Sequence, residues 1–108
     1  MKVSVLASGS KGNSSYIETK ETKILVDLGM TTLYIEKKLA NLDISPEEID
    51  AIILTHTHVD HVSGLKVFTK KYNTKVYLTE KMLKDINEIF ELKNYEIISA
   101  DFKIKDLE

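Results

Sequence analysis

The sequence predicts an α/β domain in which helices are layered on a mixed sheet. Three observations carry this. Strand-like segments come early and then alternate with helical ones, the order expected of α/β layers. Ala51-Ile52-Ile53-Leu54 is a continuous apolar run, typical of a strand buried on both faces. The chain has 108 residues, 43% hydrophobic and 30% charged, which is ordinary globular usage at a length of one small domain at most.

The elements follow in order. Lys2–Ala7 alternates apolar and polar residues and reads as a first strand. The polar segment Ser8-Gly9-Ser10-Lys11-Gly12-Asn13-Ser14 is a turn. It lacks the GxxxxGK[ST] pattern of a phosphate-binding loop, so a turn beside the site is its expected role. Ser15–Thr19 and Lys23–Asp27, joined by Lys20-Glu21-Thr22, form a hairpin. Leu28-Gly29 breaks the strand. Thr31 or Thr32 then caps a helix to about Leu42, with Leu33, Ile35, Leu39 and Leu42 at its apolar positions. Ser45, Pro46 and Glu48 make a capping box on a short turn.

After the Ala51–Leu54 strand, a helix is expected at about Ser63–Tyr72 and a strand at Lys75–Leu78. Thr79 caps a helix to about Lys93, with Met82, Leu83, Ile86, Ile89 and Phe90 inward. Two short strands, near Tyr95–Ser99 and Phe102–Lys105, end the chain. Lys70-Lys71 with Lys75 reads as a solvated helix end favoured by the helix dipole.

Composition removes several classes of function. There is no cysteine, which excludes disulfides, thiolate-held zinc, iron–sulfur clusters and thiol nucleophiles. Any transition metal must be held by histidine and carboxylate. All 15 basic residues are lysine and the net charge is −2, which gives no support to a strongly basic nucleic-acid binder. No segment reaches the roughly 20 apolar residues of a membrane span. Met1–Gly9 has too short an apolar run for a signal peptide, so a cytoplasmic protein without membrane partners is expected.

All three histidines lie in His56-Thr57-His58-Val59-Asp60-His61, directly after the apolar strand. Functional groups in open α/β sheets collect outside the carboxyl ends of strands. In extended backbone, residues two apart point the same way, so His56 and His58 can converge on one ion. Asp60 and His61, past the turn, aim at a neighbouring point. Such a set suits two ions a few ångströms apart, with further ligands supplied from elsewhere.

These residues carry a resemblance. Thr55-His56-Thr57-His58-Val59-Asp60-His61 resembles the HxHxDH signature of the metallo-β-lactamase superfamily. Ile24-Leu25-Val26-Asp27-Leu28-Gly29 is similar to the superfamily's earlier strand ending in Asp and Gly, and Val62-Ser63-Gly64-Leu65 to its continuation into a helix. The opening Ser8-Gly9-Ser10-Lys11-Gly12-Asn13 is similar to that of the YycJ/WalJ-like branch.

The resemblance implies half of an αββα sandwich. It implies that His56 and His58 hold one ion, that Asp60 and His61 hold a second, and that a water between them attacks the substrate. Metal lowers the pKa of a bound water from about 15.7 to about 7, which makes a nucleophile available at neutral pH. Asp60 would also orient that water or handle a proton as a catalytic residue. Asp27 would hold the histidine loop from behind, or simply close the turn before Gly29. Zinc is the expected ion, with manganese or iron as alternatives. The implied activity is hydrolysis of a phosphoester, with nucleic acid as a candidate substrate and lactam or thioester as alternatives.

The sequence also departs from the family. No histidine follows His61, and Asp85, Asp101 and Asp106 stand in no family ligand motif. Residues 1–108 therefore read as an N-terminal portion of such a domain, with its C-terminal half absent. The competing expectation is a non-catalytic half-domain, metal-binding or metal-free, that forms a homodimer through its exposed sheet face.

Overall fold

The computed structural model describes residues 1–99 and 101–103. Six strands, β1 (Lys2–Ala7), β2 (Ser14–Glu18), β3 (Lys23–Val26), β4 (Ala51–Ile53), β5 (Val76–Leu78) and β6 (Tyr95–Ile97), form one sheet in sequential order. β1, β2 and β3 pair antiparallel, whereas β3 through β6 run parallel. The predicted α/β fold is the one observed. Four helices fill the crossovers: α1 (Thr32–Asn41), α2 (Val59–Val62), α3 (Leu65–Tyr72) and α4 (Glu80–Asn87).

Local chemistry explains the boundaries. Thr31 and Thr79 cap α1 and α4, their hydroxyls accepting from the Tyr34 and Met82 N–H groups. At the 3₁₀ turn Pro46–Glu48, the Glu48 carboxylate accepts from the Ser45 N–H at 2.7 Å. The Ser45 hydroxyl turns to Glu47.

Alternate residues of the strands put Leu6, Tyr16, Leu25, Ile52, Val76 and Leu78 on the face covered by helices. There they pack with Ile35, Leu39, Leu65, Phe68 and Ile86 in one core. The opposite face carries Val3 and Val5, 62% and 67% exposed, at the edge of the sheet. Its Tyr77 is stacked by Phe102, with ring centroids 5.8 Å apart.

Several expectations need correction. The helix expected at 63–72 starts at Leu65, and a separate four-residue helix, Val59–Val62, precedes it within the histidine segment. The Gly64 N–H donates to the Leu28 carbonyl at 2.8 Å, and a Cβ there would lie 1.8 Å from the Met30 carbonyl oxygen. The helix from Thr79 ends at Asn87, not near Lys93. Asn87 Oδ1 accepts from the Leu92 N–H and the chain leaves the helical path. The 3.6-residue period no longer applies beyond that point, so Ile89 is 66% exposed rather than inward. Leu33 and Leu42 also face solvent, outside the apolar stripe of Ile35 and Leu39. Phe102 and Lys103 are not in a strand, and the remainder of the predicted 102–105 strand lies outside the described residues. Lys71 and Lys75 pair with Glu36 and Glu96 respectively.

Candidate metal centre

The parallel neighbours β3 and β4 bring two strand ends side by side, with Val26 opposite Ile53. The Asp27 N–H continues the ladder, donating to the Ile53 carbonyl at 2.8 Å. Asp27 then turns the chain with φ of 62°, a left-handed conformation that Asp tolerates better than bulky residues do. This turn swings its carboxylate under the loop that leaves β4.

The Asp27 carboxylate is buried and fully engaged. Its Oδ1 accepts from the Thr55 N–H at 2.8 Å. Its Oδ2 accepts from the Thr55 hydroxyl at 2.5 Å and faces His61 Nδ1 at 2.7 Å. Asp27 thus both closes the turn and holds the loop from behind. With His61 neutral, Nδ1–H donates to the carboxylate and Nε2 keeps its lone pair, the tautomer a metal ligand requires.

The structure brings together Asp27, His56 and His61, one donor atom of each lying within 4.8 Å of the others. The rings of His56 and His61 have centroids 4.7 Å apart. His58 stands beside this group, its ring stacked 5.9 Å from that of His56. Asp60 Oδ2 lies 3.8 Å from His61 Nε2. His56 and His58 are exposed while Asp60 and His61 are half-buried, so solvent reaches the cluster. Imidazole and carboxylate donors at one strand end fit a divalent transition ion by ligand type. The oxygens of Asp27 are already bonded to Thr55 and His61, and His56, His58, Asp60 and His61 stand on the solvent side of it.

Sequence reasoning overlooked four supports of this arrangement. Thr55 links Asp27 to the loop, and its hydroxyl lies 2.9 Å from His56 Nδ1. The Thr57 hydroxyl donates to Asp85 Oδ2 at 2.8 Å, tying the loop to α4. The Ser63 hydroxyl donates to the Gly29 carbonyl at 2.6 Å. Asn13 bonds to both the carbonyl and the carboxylate of Asp60. All four stand inside the segments that carry the resemblance, but what each of them holds is seen only in the fold. The Thr57–Asp85 pair joins residues 28 apart and had no local signal.

A histidine–carboxylate cluster at the carboxyl ends of parallel strands in a mixed α/β sheet defines a class: layered folds with an open metal-binding edge. The sequence profile of the metallo-beta-lactamase superfamily matches residues 7–95, so the chain belongs to that superfamily. It is 48% identical over 80 residues to exodeoxyribonuclease WalJ of Streptococcus pneumoniae, covering 74% of this chain and 30% of that protein. It is 42% identical over 78 residues to exodeoxyribonuclease YycJ of Bacillus anthracis, covering 72% and 30% respectively. The chain therefore spans about a third of these relatives.

Solved structures agree on the fold. A B3 metallo-beta-lactamase with an active-site glutamic acid superposes with a TM-score of 0.74 at 16% identity, over 90% of this chain and 42% of that one. BJP-1, a subclass B3 metallo-beta-lactamase of Bradyrhizobium japonicum, superposes with a TM-score of 0.63 at 22% identity, over 85% and 38%. Among the described residues, no helix is long and apolar enough to cross a membrane.

Proposed function

We propose that these residues are the N-terminal portion of a metal-dependent phosphoesterase acting on nucleic acid in the cytoplasm. In this reading His56 and His58 hold one divalent ion, and Asp60 and His61 hold the other. The observation that carries the reading is the buried Asp27 carboxylate against His61 Nδ1, which leaves Nε2 free as a ligand atom. The likeness to two exodeoxyribonucleases supports DNA as the substrate class. Zinc is the proposed ion, since imidazole suits it well; manganese and iron are the alternatives. Divalent ions at such a site supply Lewis acidity and a nucleophile at neutral pH. The chain's own contribution is orientation. In this reading Asp27 sets the His61 tautomer, and Asp60 would accept a proton from, or align, the attacking water.

A second reading has its own observation. Val3 and Val5 are exposed on the sheet face that bears no helix, which favours a non-catalytic half-domain paired with a second copy through that face.

Metal content per chain, measured by plasma mass spectrometry on material sized by light scattering, separates the two. Two ions per chain, lost on His58→Ala together with cleavage of DNA ends, supports the enzyme. Hydrolysis of lactam or thioester without phosphate inhibition would move the substrate class. A metal-free dimer without turnover supports the half-domain.

A further inference from the structure

The Ser8–Ser14 loop has no ligand of its own, yet it reaches across to the candidate centre. Asn13 lies 47 residues from Asp60 and makes three direct bonds to it. Its backbone N–H donates to the Asp60 carbonyl at 2.7 Å. Its side-chain Nδ2 donates to the same carbonyl at 3.1 Å and to Asp60 Oδ2 at 3.1 Å. The Asn13 side chain is itself fixed within its loop. Oδ1 accepts from the Gly9 N–H at 3.1 Å, and Nδ2 also reaches the Gly9 carbonyl at 2.9 Å. The Asn13 carbonyl accepts from the Gly29 N–H at 2.9 Å, which locks the loop to the turn after β3.

We propose that Asn13 is a positioning residue for Asp60: its side-chain amide donates to Oδ2, the oxygen that lies 3.8 Å from His61 Nε2, and so fixes the carboxylate rotamer beside the centre. This rests on the metal-centre reading above and deepens it. The chemistry requires an amide here. Asn13 offers an acceptor to Gly9 and a neutral donor to Asp60 from two separate atoms; an ionised Asp has no donor, and Ser has a single short hydroxyl for both. A lysine could donate but would introduce a charge beside the imidazoles. Without the donor, a half-exposed aspartate on a four-residue helix is free to sample other rotamers.

The alternative is that Asn13 merely closes its own turn through Gly9. Two variants separate the roles. Asn13→Ala removes both functions. Asn13→Asp keeps an acceptor for the Gly9 N–H and removes the donor to Asp60. The readout is NMR side-chain coupling at Asp60 in the metal-free chain, followed by zinc titration. Expected in both variants are averaged Asp60 couplings where the parent shows one rotamer, and a zinc affinity 10- to 100-fold lower at the site that needs Asp60. In an Asp60→Asn background, Asn13→Ala should add nothing to the loss, because the effect runs through that carboxylate.

Unchanged Asp60 couplings in Asn13→Asp, or equal losses of zinc affinity in both backgrounds, would overturn the proposal. A parent chain that binds no zinc would count against the metal-centre reading alone, since the rotamer measurement needs no metal. If Asn13→Ala does not fold, Asn13→Asp carries the test.

Discussion

His61 Nδ1 sits 2.7 Å from Oδ2 of Asp27, an aspartate only 5% exposed, and this contact joins residues that lie 34 apart in the chain. The aspartate cannot turn away, because its other bonds run to Thr55. One imidazole orientation is therefore built in before any ligand arrives.

Asp27→Asn should preserve the turn, since asparagine also tolerates positive φ. Its amide cannot accept from the Thr55 N–H, the Thr55 hydroxyl and His61 together. Zinc affinity should fall about 10- to 100-fold. Stability should fall by about 1–3 kcal/mol, the usual cost of leaving a buried hydrogen-bonding group without its partner. Isothermal titration and thermal unfolding read the two effects. An Asn variant that binds zinc like the parent would show that His61 needs no such partner.

Gly29→Ala tests close approach. A Cβ at Gly29 would lie 2.0 Å from the Asp60 carbonyl oxygen and 2.7 Å from the Asn13 nitrogen, both backbone atoms. The loops must separate to admit it, at a cost of about 1–3 kcal/mol or more. Because the displaced groups carry Asp60, zinc binding should weaken along with the melting temperature. A normal melting temperature would mean that the two loops are less tightly apposed than the structure has them.

Thr57→Val is nearly isosteric and removes the hydroxyl that donates to Asp85. Stability should drop by roughly 1.5–3 kcal/mol, the range for a hydrogen bond to a charged group. Zinc affinity should fall several-fold, since Thr57 lies between His56 and His58. Asp85→Asn should be milder, because its amide oxygen still accepts the bond. The order of the two variants in chemical denaturation checks the assignment; a more damaging Asp85→Asn would contradict it.

Far from the site, Glu36 accepts from the Lys71 ammonium at 2.6 Å and from the Tyr72 hydroxyl. These bonds hold its carboxyl below the usual glutamate range, and the same pair raises Lys71. A lowered folded-state value adds stability that is full above the ordinary glutamate range and fades as pH falls through the depressed value. For Lys71 the contribution is full below the ordinary lysine range and fades as pH rises through the raised one. Glu36→Gln should therefore melt lower than the parent at neutral pH, and the two should converge in acid. High salt should narrow the gap, because the Lys71 end of the pair is exposed to solvent. A gap that persists unchanged in acid would rule the pair out as its source.

Local chemistry made much of this molecule readable. Thr31, Thr79 and the Ser45–Glu48 turn start their elements as their caps predict, because capping involves residues three or so apart. Ala51–Ile53 forms a buried strand because its apolar run can be satisfied only inside a sheet. Period reasoning failed where an element stopped. Ile89 keeps helical spacing with Ile86 and Met82, but the helix has ended at Asn87. Gly64 separates α2 from α3 where the Leu28–Met30 turn presses on it, a contact that no local pattern announces.

The same division holds at the centre. The ligand types, their spacing and their place after a buried strand are legible in the chain alone, since all of that lies within Ala51–His61. Tertiary structure alone decided what holds them. Asp27 reaches His61, Asn13 reaches Asp60 and Asp85 reaches Thr57 because parallel pairing and loop packing bring distant segments together. Hydrogen bonds act over about 3 Å in space, so partners dozens of residues apart become visible only when the sheet has set their neighbours.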